Sequence, residues 1–235
     1  MLHSLEKNLV NERKFSGDIA CLPRVMSLVE TACMADAEFA EGIVNSIYFD
    51  TPSLAAYSEK ANGDNLKTKV RVRWYGNNED LSNDVPVFIE VKTRLGSARR
   101  KFRYDAIAPR SIICEAPFED CSLQDFISSQ LKHLQIPISC DWHPVCQISY
   151  NRRRFFDHPT SSRISVDWNI RAPRFNRTIF PWGAPILLTS MVCEFKNQGG
   201  IPPLWAKSLQ DAGLRFGSFS KYGECMERFI TGRIH

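Results

Sequence analysis

The sequence predicts an α+β protein, one large antiparallel sheet or barrel with helices at its periphery. Two observations carry that expectation. Eight runs mix β-branched or aromatic residues with polar ones at period two, the repeat of a strand with two unlike faces. Helical patterns are fewer, and each is short. With 235 residues, 43% of them hydrophobic and 24% charged, the chain has enough apolar content for a packed core. No internal repeat or low-complexity tract divides it, so residues 1–235 read as a single domain.

The strand runs fall at 9–15, 45–50, 69–75, 87–94, 101–105, 145–156, 163–170 and 187–196. The first helical pattern, 23–34, opens on Pro23, which a first turn tolerates, and sets Val25, Leu28 and Val29 on one side. A short one, 52–60, stops before the turn dipeptide Asn62-Gly63. Residues 122–134 place Leu123, Phe126, Ile127, Leu131 and Leu134 on one face, with Ser122 as N-cap. A fourth, 203–214, ends at or before Gly213. Residues 76–86 and 172–185 read as loops; the second holds three prolines.

No stretch reaches the ~18 apolar residues of a membrane span, and the N-terminus lacks the apolar core of a signal peptide. The expectation is a soluble, unexported, cytoplasmic protein. The eight cysteines show no Cys-x2-Cys spacing, and Cys140, His143 and Cys146 fit no zinc template. They read as free thiols in a reducing compartment.

The strands become informative when read by face. Lys69, Arg71, Arg73 and Tyr75 share one side of their strand, opposed by Val70, Val72 and Trp74. Phe88, Glu90, Lys92 and Arg94 oppose Val87, Ile89 and Val91. Lys101 and Arg103 oppose Phe102 and Tyr104, and Tyr150, Arg152 and Arg154 align. Arg163 and Asp167 oppose Ile164, Val166 and Trp168. Glu194 and Lys196 oppose Cys193 and Phe195, and Glu12 shares a side with Lys14. Any one such strand is ordinarily half-solvated. Across strands the pattern differs, because Arg and Lys recur on nearly every one with a lone carboxylate beside them. With Lys221 from the C-terminal segment, these faces hold 13 cations against 4 carboxylates, out of 30 basic and 26 acidic residues in the chain. The formal charge is only +4, so the charge is segregated rather than large.

If the strands close on themselves, these faces converge. Two cations ~8 Å apart repel by about 2 kcal/mol at an effective dielectric near 20, so such a lining calls for a dense polyanion, a triphosphate or a phosphate chain. Arginine suits bidentate phosphate contact and lysine acts as a point charge. Glu90 and Glu194 would repel that guest unless a divalent cation bridges them, which implies Mn²⁺ or Mg²⁺. Trp74, Trp168 and Trp205 read as packing, Asp50 as a cap, and no histidine is assigned a catalytic role. Nucleic-acid binding is disfavoured, since the cations alternate with large apolar residues and form no exposed stripe.

Eight motifs occur in order: ERKF at 12–15, YFDTPSLAAY at 48–57, KVRVRWYG at 69–76, FIEVKTR at 88–94, SYNRRRF at 149–155, RISVDW at 163–168, CEFK at 193–196 and FSKYGEC at 219–225. Together, over about residues 9–227, the chain resembles the VTC domain, the polyphosphate polymerase domain of the vacuolar transporter chaperone family. That domain is one of the triphosphate tunnel metalloenzymes, also called CYTH-like. The resemblance implies an eight-stranded antiparallel β-barrel, a triphosphate tunnel with peripheral helices. It also implies a reaction, transfer of the terminal phosphoryl group of a nucleoside triphosphate, expected to be ATP, to polyphosphate or pyrophosphate with Mn²⁺ or Mg²⁺. By motif, Lys14, Arg71, Arg73, Lys92, Arg152 and Lys221 would form the catalytic set. Lys69, Arg94, Lys101, Arg103, Arg154, Arg163, Lys196 and Tyr150 would contact phosphates. Glu194 would be the principal metal ligand and Glu90 a second.

Two departures bear on activity. Ser218 stands where some family members carry a further lysine. Val10 stands at the first position of the Glu-x-Glu-x-Lys signature of the hydrolytic branch, which disfavours a thiamine-triphosphatase-like or adenylyl-cyclase-like protein. Polyphosphate synthesis is the leading reading. Hydrolysis of tripolyphosphate or nucleoside triphosphate uses the same tunnel with water as acceptor. A non-catalytic polyphosphate or inositol-phosphate receptor is the third reading, and Glu90 and Glu194 argue against it.

Overall fold

Eight long strands and three of two residues form one antiparallel sheet in the computed structural model, which describes residues 11–61, 66–80, 82–96, 98–133, 142–199 and 201–232. In chain order the elements are β1 (Asn11–Asp18), α1 (Leu22–Ala32), β2 (Met34–Ala35), β3 (Glu41–Asp50), α2 (Ala55–Ala61), β4 (Leu66–Tyr75), β5 (Asp84–Leu95) and β6 (Ala98–Pro109). Then follow α3 (Cys121–His133), β7 (His143–Asp157), β8 (Ser162–Phe175), β9 (Ile186–Leu187), β10 (Ser190–Asn197), α4 (Ser208–Asp211), β11 (Arg215–Phe216) and α5 (Lys221–Thr231). The α+β expectation holds. Leu9 and Val10 of the first predicted strand lie outside the described residues. The predicted helix 203–214 is instead a 3-10 turn, Leu204–Lys207, followed by the single turn α4, after which Gly213 adopts a positive φ of 99°. Asp120, not Ser122, accepts the first-turn N–H of α3, at 2.9 Å.

The strand order is β11-β1-β10-β8-β7-β3-β4-β5-β6, with β2 on β7 and β9 on β8. The edges are β11 and β6, and among the described residues no ladder joins them. The closed eight-stranded barrel is therefore corrected to an open, curled sheet of eleven strands. Its curl is visible in the charges. Lys92 on β5 feels Lys196 on β10 and Glu12 on β1, although β4, β3, β7 and β8 separate β5 from β10 along the sheet. Two features stand in place of closure. The outer edge of β1 is taken by β11 at Phe15 and Ser16. The concave face holds α5, which packs on β3, β7 and β10.

Alternation assigns the two faces. On the convex side Val72, Trp74 and Ile89 pack under Leu123, Ile127 and Leu131 of α3. Phe15, Val166, Cys193 and Phe195 pack with Val25 and Val29 of α1 and Leu209 of α4. Each such buried side chain contributes roughly 1.5–3 kcal/mol. On the concave side, α5 buries Tyr222, Cys225 and Met226 against Val44, Tyr48, Ile148 and Val192. The Ser220 hydroxyl caps α5 by accepting from Gly223 N–H at 3.2 Å, and Gly232 ends it in the left-handed region. Thus α5 fills the apolar part of the curl and points its first residue, Lys221, at the charged part. No described helix is long and apolar enough to cross a membrane.

Candidate functional site

Register turns the charged faces into rungs. Across β4, β5 and β6, Lys69, Lys92 and Lys101 are aligned, then Arg71, Glu90 and Arg103, then Arg73, Phe88 and Asp105. Across β1, β10 and β8, Glu12, Lys196 and Arg163 are aligned, then Lys14, Glu194 and Ser165. Arg152 of β7 stands opposite Asp167 of β8. Arg94 lies on β5 opposite Lys67 and Arg99, and its side chain is outside the described residues.

Each carboxylate of this face is clamped by cations. Glu90 Oε2 accepts from Arg71 Nε at 2.6 Å and sits 2.5 Å from Nη2, with Arg73 at 3.9 Å, while its Oε1 is 3.7 Å from Lys101. Asp167 accepts from Arg152 Nε and Nη2 at 2.6 and 2.8 Å, and from Lys221 Nζ at 2.7 Å. Glu194 is 2.5 Å from Lys196 Nζ and 3.9 Å from Lys14 Nζ, which is also 2.8 Å from Glu12. Burial alone would raise the Glu194 carboxyl, but Lys196, Lys14, Arg152 and Lys221 outweigh it and hold it well below the carboxylate range. Glu90 is burial-opposed in the same way and held low by Arg71, Arg73 and Lys101. Asp167, fully buried, is held at about 2 by Arg152 and Lys221. All are ionised at neutral pH.

Aromatic and hydroxyl groups orient the cations. Arg71 donates to the Tyr48 hydroxyl at 3.2 Å and Arg73 to Ser46 at 3.1 Å. Tyr150, buried, lies beneath Arg152 and Lys221, whose charged atoms are 5.3 and 4.4 Å from its ring centre. Tyr48 stacks on Tyr222 at 5.1 Å, which ties Arg71 to the helix that carries Lys221. Buried Asp50 accepts from Tyr222 O–H and from the N–H groups of Thr51, Ala56 and Tyr57, so it caps α2 and anchors α5 at once.

The structure thus brings together Lys14, Arg71, Arg73, Lys92, Arg152, Lys221, Tyr150, Glu90, Glu194, Lys196 and Lys101. Arg163 is exposed at the rim, next to Lys196 in the ladder. Arg103 lies over Phe88 at 3.8 Å, and Arg154 over Tyr75 at 5.6 Å. Lys69 aligns with Lys92 on the lysine rung. Sequence reading gave no role to Tyr48, Ser46, Glu12 or Tyr222. Parity placed Glu12 on the face, but only the β1–β10 register shows it diagonal to Glu194.

Lys92 is open to water at this face yet crowded by protein. Desolvation, helped by the charges of Arg71 and Lys196, pushes its ammonium down to about 8. Its ordinary value is 10.5, so between about 8 and 10.5 the folded protein holds fewer protons than the unfolded chain, and the Lys92 contribution to stability rises with pH there. Anion binding moves the other way, since neutral Lys92 attracts no phosphate. Tripolyphosphate affinity is expected to fall between pH 7 and pH 9, and to fall less in Lys92→Arg, which stays charged. Equal pH dependence in the two proteins would remove Lys92 from the site.

The donor set fits a divalent cation bound jointly with phosphate. Glu12 and Glu194 lie close enough that the charge of Glu194 works against ionisation of Glu12, while Lys14 and Lys196 favour it. Two ionised carboxylates facing an anion site suit a hard cation that shares its shell with phosphate oxygens. Among the described residues no three His, Cys, Asp or Glu side chains form a cage that would hold a metal by themselves. Glu90 faces Arg71, Arg73 and Lys101, as Glu194 faces Lys196 and Lys14, so either carboxylate would share a metal with the cations around it.

The family model described as the VTC domain matches residues 22–230. The chain belongs to the VTC domain family. Its fold is shared with a candidate adenylate cyclase from Bacillus halodurans, at 12% identity and a TM-score of 0.52, covering 89% of this chain and 92% of that one. A candidate adenylate cyclase from Vibrio parahaemolyticus matches at 13% identity and a TM-score of 0.46, over 92% and 97%. No curated protein matches the chain. In this VTC domain the family match begins at α1, so β1, with Glu12 and Lys14, precedes the matched span.

Proposed function

We propose that this VTC domain is a polyphosphate polymerase. It transfers the terminal phosphoryl group of a nucleoside triphosphate, ATP being the expected one, to the end of a polyphosphate chain lying in the curl of the sheet. One observation carries the reading. Eight cations, from Lys14 to Lys221, converge on a face that holds four carboxylates, leaving positive charge for a guest anion.

The geometry supports a role for each. Arg71 and Arg73, fixed by Glu90, Tyr48 and Ser46, present guanidinium groups from one wall. The Arg152 guanidinium and the Lys221 ammonium, both fixed by Asp167, face them from the other. Such preorganised donors stabilise charge on the transferring group without reorganising. Lys69, Lys92 and Lys101 form a rung of point charges suited to a sliding chain. A terminal phosphate oxygen attacks the γ-phosphorus, the bond to the β-bridging oxygen breaks, and its electron pair leaves on the nucleoside diphosphate. The attacking oxygen is already ionised, so no general base is needed, and among the described residues no histidine belongs to the site. A divalent cation, Mn²⁺ or Mg²⁺, would be held by Glu194 and Glu12 and would neutralise charge on the phosphates.

Incubation with ATP and Mn²⁺, followed by gel analysis, tests the reading. Growing polyphosphate chains are expected. Release of free phosphate alone would make the domain a hydrolase, and no turnover with retained anion binding would make it a receptor.

A further inference from the structure

The two ends of the charged face differ. One end is the lysine rung. At the other, the cations alternate with aromatic rings: Arg103 lies 3.8 Å over Phe88, Phe88 meets Tyr75 edge-on at 5.7 Å, and Arg154 lies 5.6 Å from the Tyr75 ring. Tyr75 ends β4 on the same side as Arg71 and Arg73. It is 41% exposed, whereas Tyr48 and Tyr150, the other tyrosines of the face, are at most 9% exposed. Those two are beneath cations or stacked on Tyr222. Tyr75 therefore offers ring surface to a ligand where they do not. Arg154 is pinned beside it by donation to the Phe39 carbonyl at 3.1 Å.

We infer that Tyr75, backed by Phe88 and flanked by Arg154, is the platform on which the base of the nucleoside triphosphate stacks. The inference rests on the polymerase reading and adds the direction in which the donor enters. Arg73 and Tyr75 are two residues apart on one face, about 7 Å along the strand, a spacing that a ribose bridges between a phosphate and a base. Arginine beside the ring adds a second planar partner for the base. The base end of the donor then lies at the aromatic rim, its phosphates point toward Arg71 and Arg152, and the growing chain extends toward the lysine rung. Stacking reads no base edge, so ATP and GTP are taken alike.

Calorimetric titration of the full chain with ATP, ribose 5-triphosphate and inorganic tripolyphosphate tests this. A stacked base is worth roughly 1–3 kcal/mol, or about 5- to 150-fold. The wild type is expected to bind ATP at least ~5-fold more tightly than ribose 5-triphosphate. Tyr75→Leu is expected to lose at least ~5-fold for ATP and GTP together, with tripolyphosphate changed less than twofold, and Tyr75→Phe is expected to retain ATP affinity. Equal wild-type affinity for ATP and ribose 5-triphosphate would overturn the platform whatever the variants do, as would parallel losses for ATP and tripolyphosphate. Failure of the wild type to bind tripolyphosphate would instead overturn the underlying polymerase reading.

Discussion

Glu194→Gln is expected to lower metal-dependent turnover by at least ~100-fold, the lower end of what one preorganised electrostatic element contributes. Glu194 is buried, ionised, and next to Glu12, so it supplies a charged oxygen donor facing the anion site. Glutamine keeps the volume and removes the charge. The fold survives, because Lys14 retains Glu12 at 2.8 Å and Lys196 is partly solvated. Metal-free tripolyphosphate affinity stays the same or improves, since a repulsive charge has gone. If Glu194 serves only to pair with Lys196, the variant loses thermal stability and keeps its metal dependence. Melting temperature, metal-free affinity and Mn²⁺-dependent rate, measured on one protein, separate the two. Unimpaired activity at saturating metal would exclude Glu194 from the mechanism.

Asp167→Ala carries the largest expected stability effect. It strands Arg152 and Lys221, which converge on one fully buried carboxylate, and breaking a buried pair costs about 3–5 kcal/mol. Urea denaturation should show that loss, and saturating tripolyphosphate should recover much of it, because the guest anion replaces the missing charge. A loss under about 1 kcal/mol, or no rescue by the anion, would contradict the arrangement. The pH dependence has a fixed sign. The folded value of about 2 lies below the ordinary 3.8, so the Asp167 contribution is fully present above about pH 4 and fades as pH falls toward 2. In Asp167→Ala that part of the acid sensitivity disappears.

The sidedness of the site was readable because the pleat has period two. Once a strand is placed, Arg71 and Arg73 must share a face, and Trp74 must take the other. Pairing across strands is non-local and was not readable. Parity put Glu12, Glu90 and Glu194 on one face, but register decides that Glu12 neighbours Glu194 while Glu90 sits among Arg71, Arg73 and Lys101. Openness of the sheet depends on what meets the edge of β1, and β11 is a two-residue strand with no pattern of its own. The helix α5 is absent from the sequence expectation, although Ser220, Gly232 and the spacing of Tyr222, Cys225, Met226 and Phe229 mark it. Gly223 in its first turn and the charges around it blur the pattern. Its effect is large, since it carries Lys221 and fills the concave face.

In the proposed function, these strand faces form one interior site for a polyphosphate chain. Metal-free calorimetric titration with inorganic tripolyphosphate, set against orthophosphate, tests it most directly. Charge-assisted hydrogen bonds contribute about 1.5–3 kcal/mol each, so two further phosphates held by these walls predict saturable one-to-one binding of tripolyphosphate, at least ~100-fold tighter than orthophosphate. Equal, weak affinity for the two anions would contradict it.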